Sequence, residues 1–318
     1  MSSWKKILRK QFTNWKALAE FLEIDEREIL QKPLFPLKLP FRLAQKIKKN
    51  DLNDPILRQF LPSIHELKVA PGDKLDPVDD KSFQKTDKLL HKYEDRALLL
   101  VTSSCAMHCR FCFRQNFPYE TGPSLFEDEM NYIRNNPSLK EIILSGGDPL
   151  SVDNSKLESI LADLNKIPHI ERIRFHTRFP LGVPERIDDS FLNILSSSQK
   201  QIFFIIHVNH PQELDDDIFS HLKKIQKLGI PVLSQSVLLK GINDDTRVLK
   251  KLFEMLTYSG VIPYYLHRLD PVQGSSQFEV SREQGCALIS GLREKIAGFA
   301  VPRFVEEIPG KPSKTLII

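Results

Sequence analysis

From Arg96 onward the chain repeats one unit: a short apolar run, a polar loop, then an amphipathic stretch with helical spacing. The apolar runs are RALLLVT from Arg96, EIILSGG from Glu141, RIRFHTR from Arg172, QIFFIIHVN from Gln201, IPVLSQSVLL from Ile230 and IPYYLHRLD from Ile262. Near-continuous apolar runs of this length predict strands covered on both faces, as in a parallel sheet. Between them, Leu157, Leu161 and Leu164 mark one helical face, and Ile218, Leu222 and Ile225 mark a second, stopped by Gly229. Leu249, Leu252, Phe253 and Leu256 mark a third, stopped by Gly260, since glycine readily ends a helix. Six strands alternating with six helices predict an α/β fold with right-handed crossovers. Periodicity alone fits an open doubly wound sheet and a partial barrel equally well. Either architecture puts the functional site at the C-terminal ends of the strands.

The first ninety or so residues have a different rhythm. Trp15, Leu18, Ala19 and Leu22 fall on one face of a short helix. The stretch KPLFPLKLP cannot run as helix, a second helical piece spans roughly Phe41 to Lys49, and VAPGDKLDPVDDKS has the composition of an exposed connection. The expected organisation is an N-terminal helical appendage and linker over residues 1–90, followed by the αβ-repeat domain over residues 91–318. A length of 318 residues accommodates both.

Composition excludes several classes. Hydrophobic residues make up 41% and charged residues 27%, with a net charge of +4, which is ordinary for a soluble globular chain and too weak a bias to suggest nucleic-acid binding. The strongest apolar run, QIFFIIHV, is far shorter than the ~20 residues of a membrane-spanning helix. No apolar segment follows the charged start MSSWKKILRKQF, so no secretory signal is expected and the default location is cytoplasmic. Cysteines are reduced there, and a cysteine cluster then points to metal binding or catalysis before it points to disulfides.

Such a cluster exists. Cys105, Cys109 and Cys112 lie within CAMHCRFC, directly after the first strand of the repeating part, while Cys286 lies alone in a helical stretch. Thiolates are preferred by soft metals and iron–sulfur clusters. Three of them can hold three irons of a four-iron cluster and leave the fourth open. A structural zinc site is the competing reading, but zinc normally takes four protein ligands in paired spacing, and His108 sits inside the loop at poor spacing. The C-x3-C-x2-C spacing, with Phe111 before its last cysteine, resembles that of the radical S-adenosylmethionine (SAM) superfamily, in which the open iron binds SAM. The next strand ends in Ser145, Gly146, Gly147 and Asp148, which resembles the superfamily element that meets the amino group of SAM. Read alone, it is equally an ordinary Gly-Gly turn. The superfamily resemblance implies the partial (β/α)6 barrel.

A longer resemblance covers roughly residues 50–318. HKYEDRALLLVT, CAMHCRFCFRQNFPY, ILSGGDPL, HVNHPQEL, QSVLLKGIND, PYYLHRLDPVQG and GKPSKT are similar, in order and spacing, to the lysine 2,3-aminomutase family, and most similar to the branch that makes (R)-β-lysine for modification of bacterial elongation factor P. The resemblance implies a [4Fe-4S] cluster, SAM and pyridoxal phosphate (PLP), with Lys314 as the lysine that carries PLP; Lys311 is the nearest wrong choice. It further implies L-lysine as substrate, an external electron donor, and a link to elongation factor P and its lysine ligase. Arg114 would pair with the substrate carboxylate, Arg96 and Tyr93 would lie around the PLP phosphate, and Asp270 would receive the substrate ε-ammonium. His207 and Gln235 would line the SAM pocket. Glu307 stands where the family has a second aspartate for the ε-ammonium, and His267 where it has a tyrosine near the PLP ring. The chain also ends four residues after Lys314, short of the extension in larger lysine-fermenting relatives, which leaves assembly into a homo-oligomer open. These departures favour the elongation-factor branch. Rival readings are a radical SAM aminomutase acting on another amino acid or in lysine catabolism, and a zinc-binding, nucleic-acid-associated protein.

Overall fold

The computed structural model describes residues 3–27, 29–119 and 126–318. Its main sheet has ten strands whose spatial order follows chain order: β1 (Gln84–Thr86), β2 (Leu89–Tyr93), β3 (Arg96–Thr102), β4 (Glu141–Gly146), β5 (Arg172–Thr177), β6 (Gln201–His207), β7 (Val232–Val237), β8 (Ile262–His267), β9 (Arg303–Glu306) and β10 (Thr315–Leu316). Strands β3 to β9 run parallel, while β1 and β2 at one edge and β10 at the other are antiparallel. A helix fills each parallel crossover: Glu127–Arg134, Asn154–Asn165, Asp189–Ser196, Asp216–Gln226, Thr246–Tyr258 and Arg282–Arg293. Several of these start where a side chain takes up a free backbone N–H, as Asp188, Asp215, Asp245 and Ser281 do.

The two faces of the sheet differ, contrary to the expectation of strands buried on both. In β5, Ile173, Phe175 and Thr177 are buried, whereas Arg172, Arg174 and His176 are partly open. Phe175 meets Phe191 of the following helix edge-to-face, with ring centroids 6.1 Å apart, so the buried set faces the helical layer. Side chains alternate along a strand, and the other set therefore faces a lumen. Arg174 there pairs with Glu141 of β4 at 2.6 Å. The sheet is rolled around this lumen: the Tyr93 hydroxyl of β2 lies 2.7 and 2.8 Å from the carboxylate oxygens of Glu307, just past β9. Side chains from opposite edges meet only in a strongly curved sheet, which resolves the architecture as a partial barrel.

The N-terminal residues are less separate than their composition suggests. Trp4, Leu18, Leu22, Leu43 and Phe60 belong to the same buried cluster as Phe175, Phe204 and Phe304 of the barrel, and Trp4 packs edge-to-face on Phe179. The boundary placed between residues 90 and 91 falls inside β2. The turn-rich run before it is not simply an exposed connection, since Val78 and Asp80 are buried and the Val78 carbonyl accepts a hydrogen bond from Lys92 at 2.6 Å. The second helix covers only Phe41–Gln45; the chain then turns, with the Lys48 N–H donating to Asp54 at 3.0 Å.

This shared core makes a measurable claim. Leu18→Ala should destabilise the whole protein by about 2–5 kcal/mol, the range for emptying a buried leucine site, in urea unfolding followed by a probe in the barrel. A loss below about 1 kcal/mol would show that the N-terminal helices fold as a detachable appendage.

Candidate active site

The loop after β3 carries all three clustered cysteines, and neighbouring backbone fixes its course. Gly147 N–H donates to the Thr102 carbonyl at 2.6 Å and Asp148 N–H to the Ser104 carbonyl at 2.8 Å. Arg110 N–H reaches the Gln59 carbonyl, and His108 N–H the Lys38 carbonyl, each at 2.9 Å. A side chain at Gly147 would run into the backbone of Ser103 and Ser104, so glycine is needed for the close approach of β4 to the loop. Gly146 has φ +116°, a backbone conformation glycine tolerates. Asp148 is buried. Its carboxylate accepts from Thr177 Oγ1 at 2.7 Å and from the backbone of Arg178, Phe179 and Leu150 at 2.8, 3.0 and 3.0 Å. Its side chain is thus committed to the protein, and part of the neighbouring backbone is engaged as well: the Gly146 carbonyl accepts from the Tyr119 hydroxyl at 2.8 Å.

Cys105, Cys109 and Cys112 are free thiols. Burial pushes all three up in pKa, Cys112 to about 11; neighbouring cysteines add to this at Cys105 and Cys112, while Arg178 partly offsets it at Cys109. Such thiols give up protons when a metal binds. Among the described residues, no three His, Cys, Asp or Glu side chains gather as a single-ion site would need. His108 does not complete one: its Nδ1 lies 2.9 Å from the Pro36 carbonyl and its ring stacks on Phe35 at 4.5 Å. The donor set fits a cluster whose three irons are ligated separately.

The lumen holds two further groups. Near the cysteines, His207 contacts Phe111 with ring centroids 5.9 Å apart, and its Nε2 lies 3.1 Å from Asn209. Gln235 lies between His176 and His267, at 3.5 and 3.4 Å. Burial lowers all three imidazole pKa values, His207 to about 3, and nearby cations add to this, so these imidazoles are neutral at neutral pH.

The opposite wall is charged. Strand β10 returns antiparallel to β9, pairing Thr315 with Glu306, and this brings Lys314 Nζ within 2.9 Å of Glu307. Lys311 is exposed. Lys92 bridges Glu307 at 3.4 Å and Asp80 at 3.6 Å, and Arg114 Nε donates to Asp80 at 2.7 Å. Burial opposes ionisation of Glu307, but Lys314, Lys92 and Tyr93 hold its carboxyl below its ordinary range. Burial likewise opposes ionisation of Asp80, and Arg114 and Lys92 win. Asp270 behaves oppositely: burial pushes it up to about 6, Lys314 only partly offsets this, and Glu307 reinforces it. Arg96 stands apart, paired with Asp95 at 2.9 Å and lying 5.2 Å over the Tyr93 ring. The structure therefore gathers Lys314, Glu307, Tyr93 and Asp270, ties Arg114 to them through Asp80 and Lys92, sets His207 against Phe111 of the cysteine loop, and holds Gln235 between His176 and His267. Sequence reasoning missed Asp80, because nothing in DPVDDKS distinguishes a buried aspartate from a solvated turn residue.

Residues 99–252 match the Radical SAM superfamily. Over 322 residues the chain is 37% identical to L-lysine 2,3-aminomutase of Haemophilus influenzae, covering 99% of this chain and 95% of that one. The chain belongs to the L-lysine 2,3-aminomutase family. It is 38% identical to the Escherichia coli protein of that name, covering 98% of this chain and 93% of the other, and 33% identical to that of Clostridium subterminale, covering 100% and 78%. The crystal structure of Streptococcus suis SuiB bound to S-adenosylmethionine superposes with a TM-score of 0.51 at 14% identity, covering 69% of this chain and 52% of that one, a likeness of fold alone. A lysine aminomutase of this superfamily is an isomerase that uses a [4Fe-4S] cluster, SAM, an electron donor and lysine. Among the described residues, no helix is long and apolar enough to cross a membrane.

Asp270 gives the site a pH signature. Its folded pKa lies above the ordinary 3.8, so the folded protein keeps a proton that the unfolded chain releases. Stability therefore falls as pH rises through roughly 4 to 6. Asp270→Asn should raise the melting temperature of the cofactor-free protein at pH 8, with the advantage closing by pH 4. Parallel melting curves across that range would remove this reading of Asp270.

Proposed function

We propose that this enzyme converts L-α-lysine to (R)-β-lysine with PLP held on Lys314, and that the product serves modification of elongation factor P. The observation that carries the proposal is the return strand β10, which sets Lys314 against Glu307 on the carboxylate-lined wall. When bound, PLP supplies an imine that stabilises a radical during nitrogen migration, and SAM on the cluster supplies the hydrogen-abstracting radical.

The chain's own residues bind, orient and select. Lys314 gives up its ion pair with Glu307 when it takes PLP, and that frees the carboxylate for the substrate ε-ammonium. Asp270 joins Glu307 there, and two carboxylates favour a long cationic side chain over an acidic one. Arg114, with Nε anchored on Asp80, presents its remaining N–H groups to the substrate carboxylate, a geometry suited to bidentate contact. Arg96 and Tyr93 take the phosphate side of PLP. Ser145, Gly146 and Gly147 offer backbone, and His207 and Gln235 uncharged hydrogen-bonding groups, to SAM. Glu307 and His267, where the resembling family has aspartate and tyrosine, support the elongation-factor branch, with free lysine as substrate and attachment left to a separate ligase.

Anaerobic reconstitution with iron, sulfide, PLP, SAM, reductant and L-lysine should yield (R)-β-lysine on a chiral column. Cleavage of SAM without β-lysine would preserve the radical chemistry and overturn the substrate and product. Lys314→Ala should abolish the Schiff-base absorbance while Lys311→Ala keeps it; the reverse would move the PLP lysine. Asp270→Ala should raise KM for lysine at least tenfold, and an unchanged KM would remove Asp270 from the ε-ammonium site.

A further inference from the structure

One buried cation touches the cysteine loop without belonging to any motif. Arg178 follows β5 and is only 6% exposed. Its Nη1 lies 2.8 Å from Cys109 Sγ. Its Nη2 donates to Glu213 at 2.7 Å and to Gln59 at 2.6 Å. The guanidinium is sandwiched near the rings of Phe60 and Phe111, at 4.9 and 5.5 Å. The restraints come from three separate parts of the chain: Gln59 and Phe60, Cys109 and Phe111, and Glu213. Glu213 is fully buried and also accepts from the backbone of Asn209 and His210, at 3.1 and 2.9 Å. Gln59 accepts from Asn209 at 2.9 Å as well. The Arg178 backbone N–H is itself fixed on Asp148. The guanidinium has little freedom to turn away from the sulfur.

We infer that Arg178 is a positioning residue that sets the reduction potential of the cluster, by holding a fixed positive charge and an N–H donor against the Cys109 sulfur. The inference rests on the three cysteines holding that cluster. Reduction adds one electron from the external donor and no proton, so the cluster becomes one unit more negative. A cation and an N–H aimed at a ligand sulfur stabilise that added charge and raise the potential. The paired Glu213 offsets the effect only in part, because it engages Nη2 while Nη1 is the nitrogen held against the sulfur. The same contact holds the Cys109 side chain in a fixed orientation.

The test is a redox titration of the reconstituted protein, followed by electron paramagnetic resonance of the reduced cluster. Arg178→Met combined with Glu213→Gln removes both charges, so no carboxylate is left buried and unpaired. Its potential should fall by about 59 mV, equivalent to a tenfold loss in the one-electron reduction equilibrium, with iron content unchanged. Arg178→Lys keeps the charge but loses the fork, and should fall between the two. Potentials equal to wild type in both variants, with the cluster intact, would overturn the inference. If the double variant fails to assemble a cluster, Arg178→Lys decides: a lowered potential supports the inference, and an unchanged one overturns it. A wild-type protein that shows no four-iron signal at all would instead overturn the cysteine assignment, before any potential is compared.

Discussion

Four hydrogen bonds converge on the buried carboxylate of Asp148, and the functional end of the barrel depends on them. Its acceptors tie the end of β4 to the end of β5, while its own N–H holds the cysteine loop through Ser104. Burial alone would push this carboxyl toward its neutral form, and the donors around it oppose that. A buried carboxylate deprived of these donors would carry a large desolvation penalty. The ends of two strands and the loop that bears the thiols are therefore coupled: none can shift without leaving a buried polar group unpaired.

The lumen follows from the other half of the same geometry. One sheet face is dried by helices, and the other carries arginines, histidines, tyrosines and carboxylates that no helix covers. These charges neutralise one another, with Asp80 and Glu307 engaging Arg114, Lys92 and Lys314. Pairing keeps a polar wall stable without a ligand, since unpaired buried charge is far more costly than paired. The same pairing preorganises recognition. Under the proposed function, a substrate ammonium or carboxylate would replace an internal partner of side chains that are already ordered.

What was legible in the sequence is what depends on neighbours along the chain. Strand runs announce themselves locally, and all six proposed from the sequence correspond to parallel strands. The cysteine triplet is likewise a matter of spacing, and so is the Gly146–Gly147 turn. Strand β2 is harder to read, because LLHKY has a polar end and straddles the boundary placed after residue 90; its strand character comes from pairing with β3. Lys314 carries no local mark, and only resemblance selects it over Lys311. Asp80 and Arg178 were invisible for the same reason: their importance comes from partners distant in sequence. Asp80 sits in a turn-rich run, and Arg178 in RFPLG, where nothing indicates that its guanidinium reaches a sulfur 69 residues earlier.

The N-terminal helices belong in this account of the chemistry. Gln59 lies on the four-residue helix Leu57–Phe60. Its carbonyl receives Arg110 from the cysteine loop, and its side chain receives both Arg178 and Asn209. Phe60, next along, forms the apolar platform beneath Arg178, and Glu66 pairs with the Arg110 guanidinium. A cation beside a sulfur retains its electrostatic strength only where water is excluded, because the effective dielectric rises steeply with hydration. The barrel supplies the thiols and Arg178 but leaves this side uncovered by its own helices. Gln59, Phe60 and Glu66 cover it, and on the inference above they help exclude water from Arg178 and hold its guanidinium against the Cys109 sulfur, where it can act on the electron.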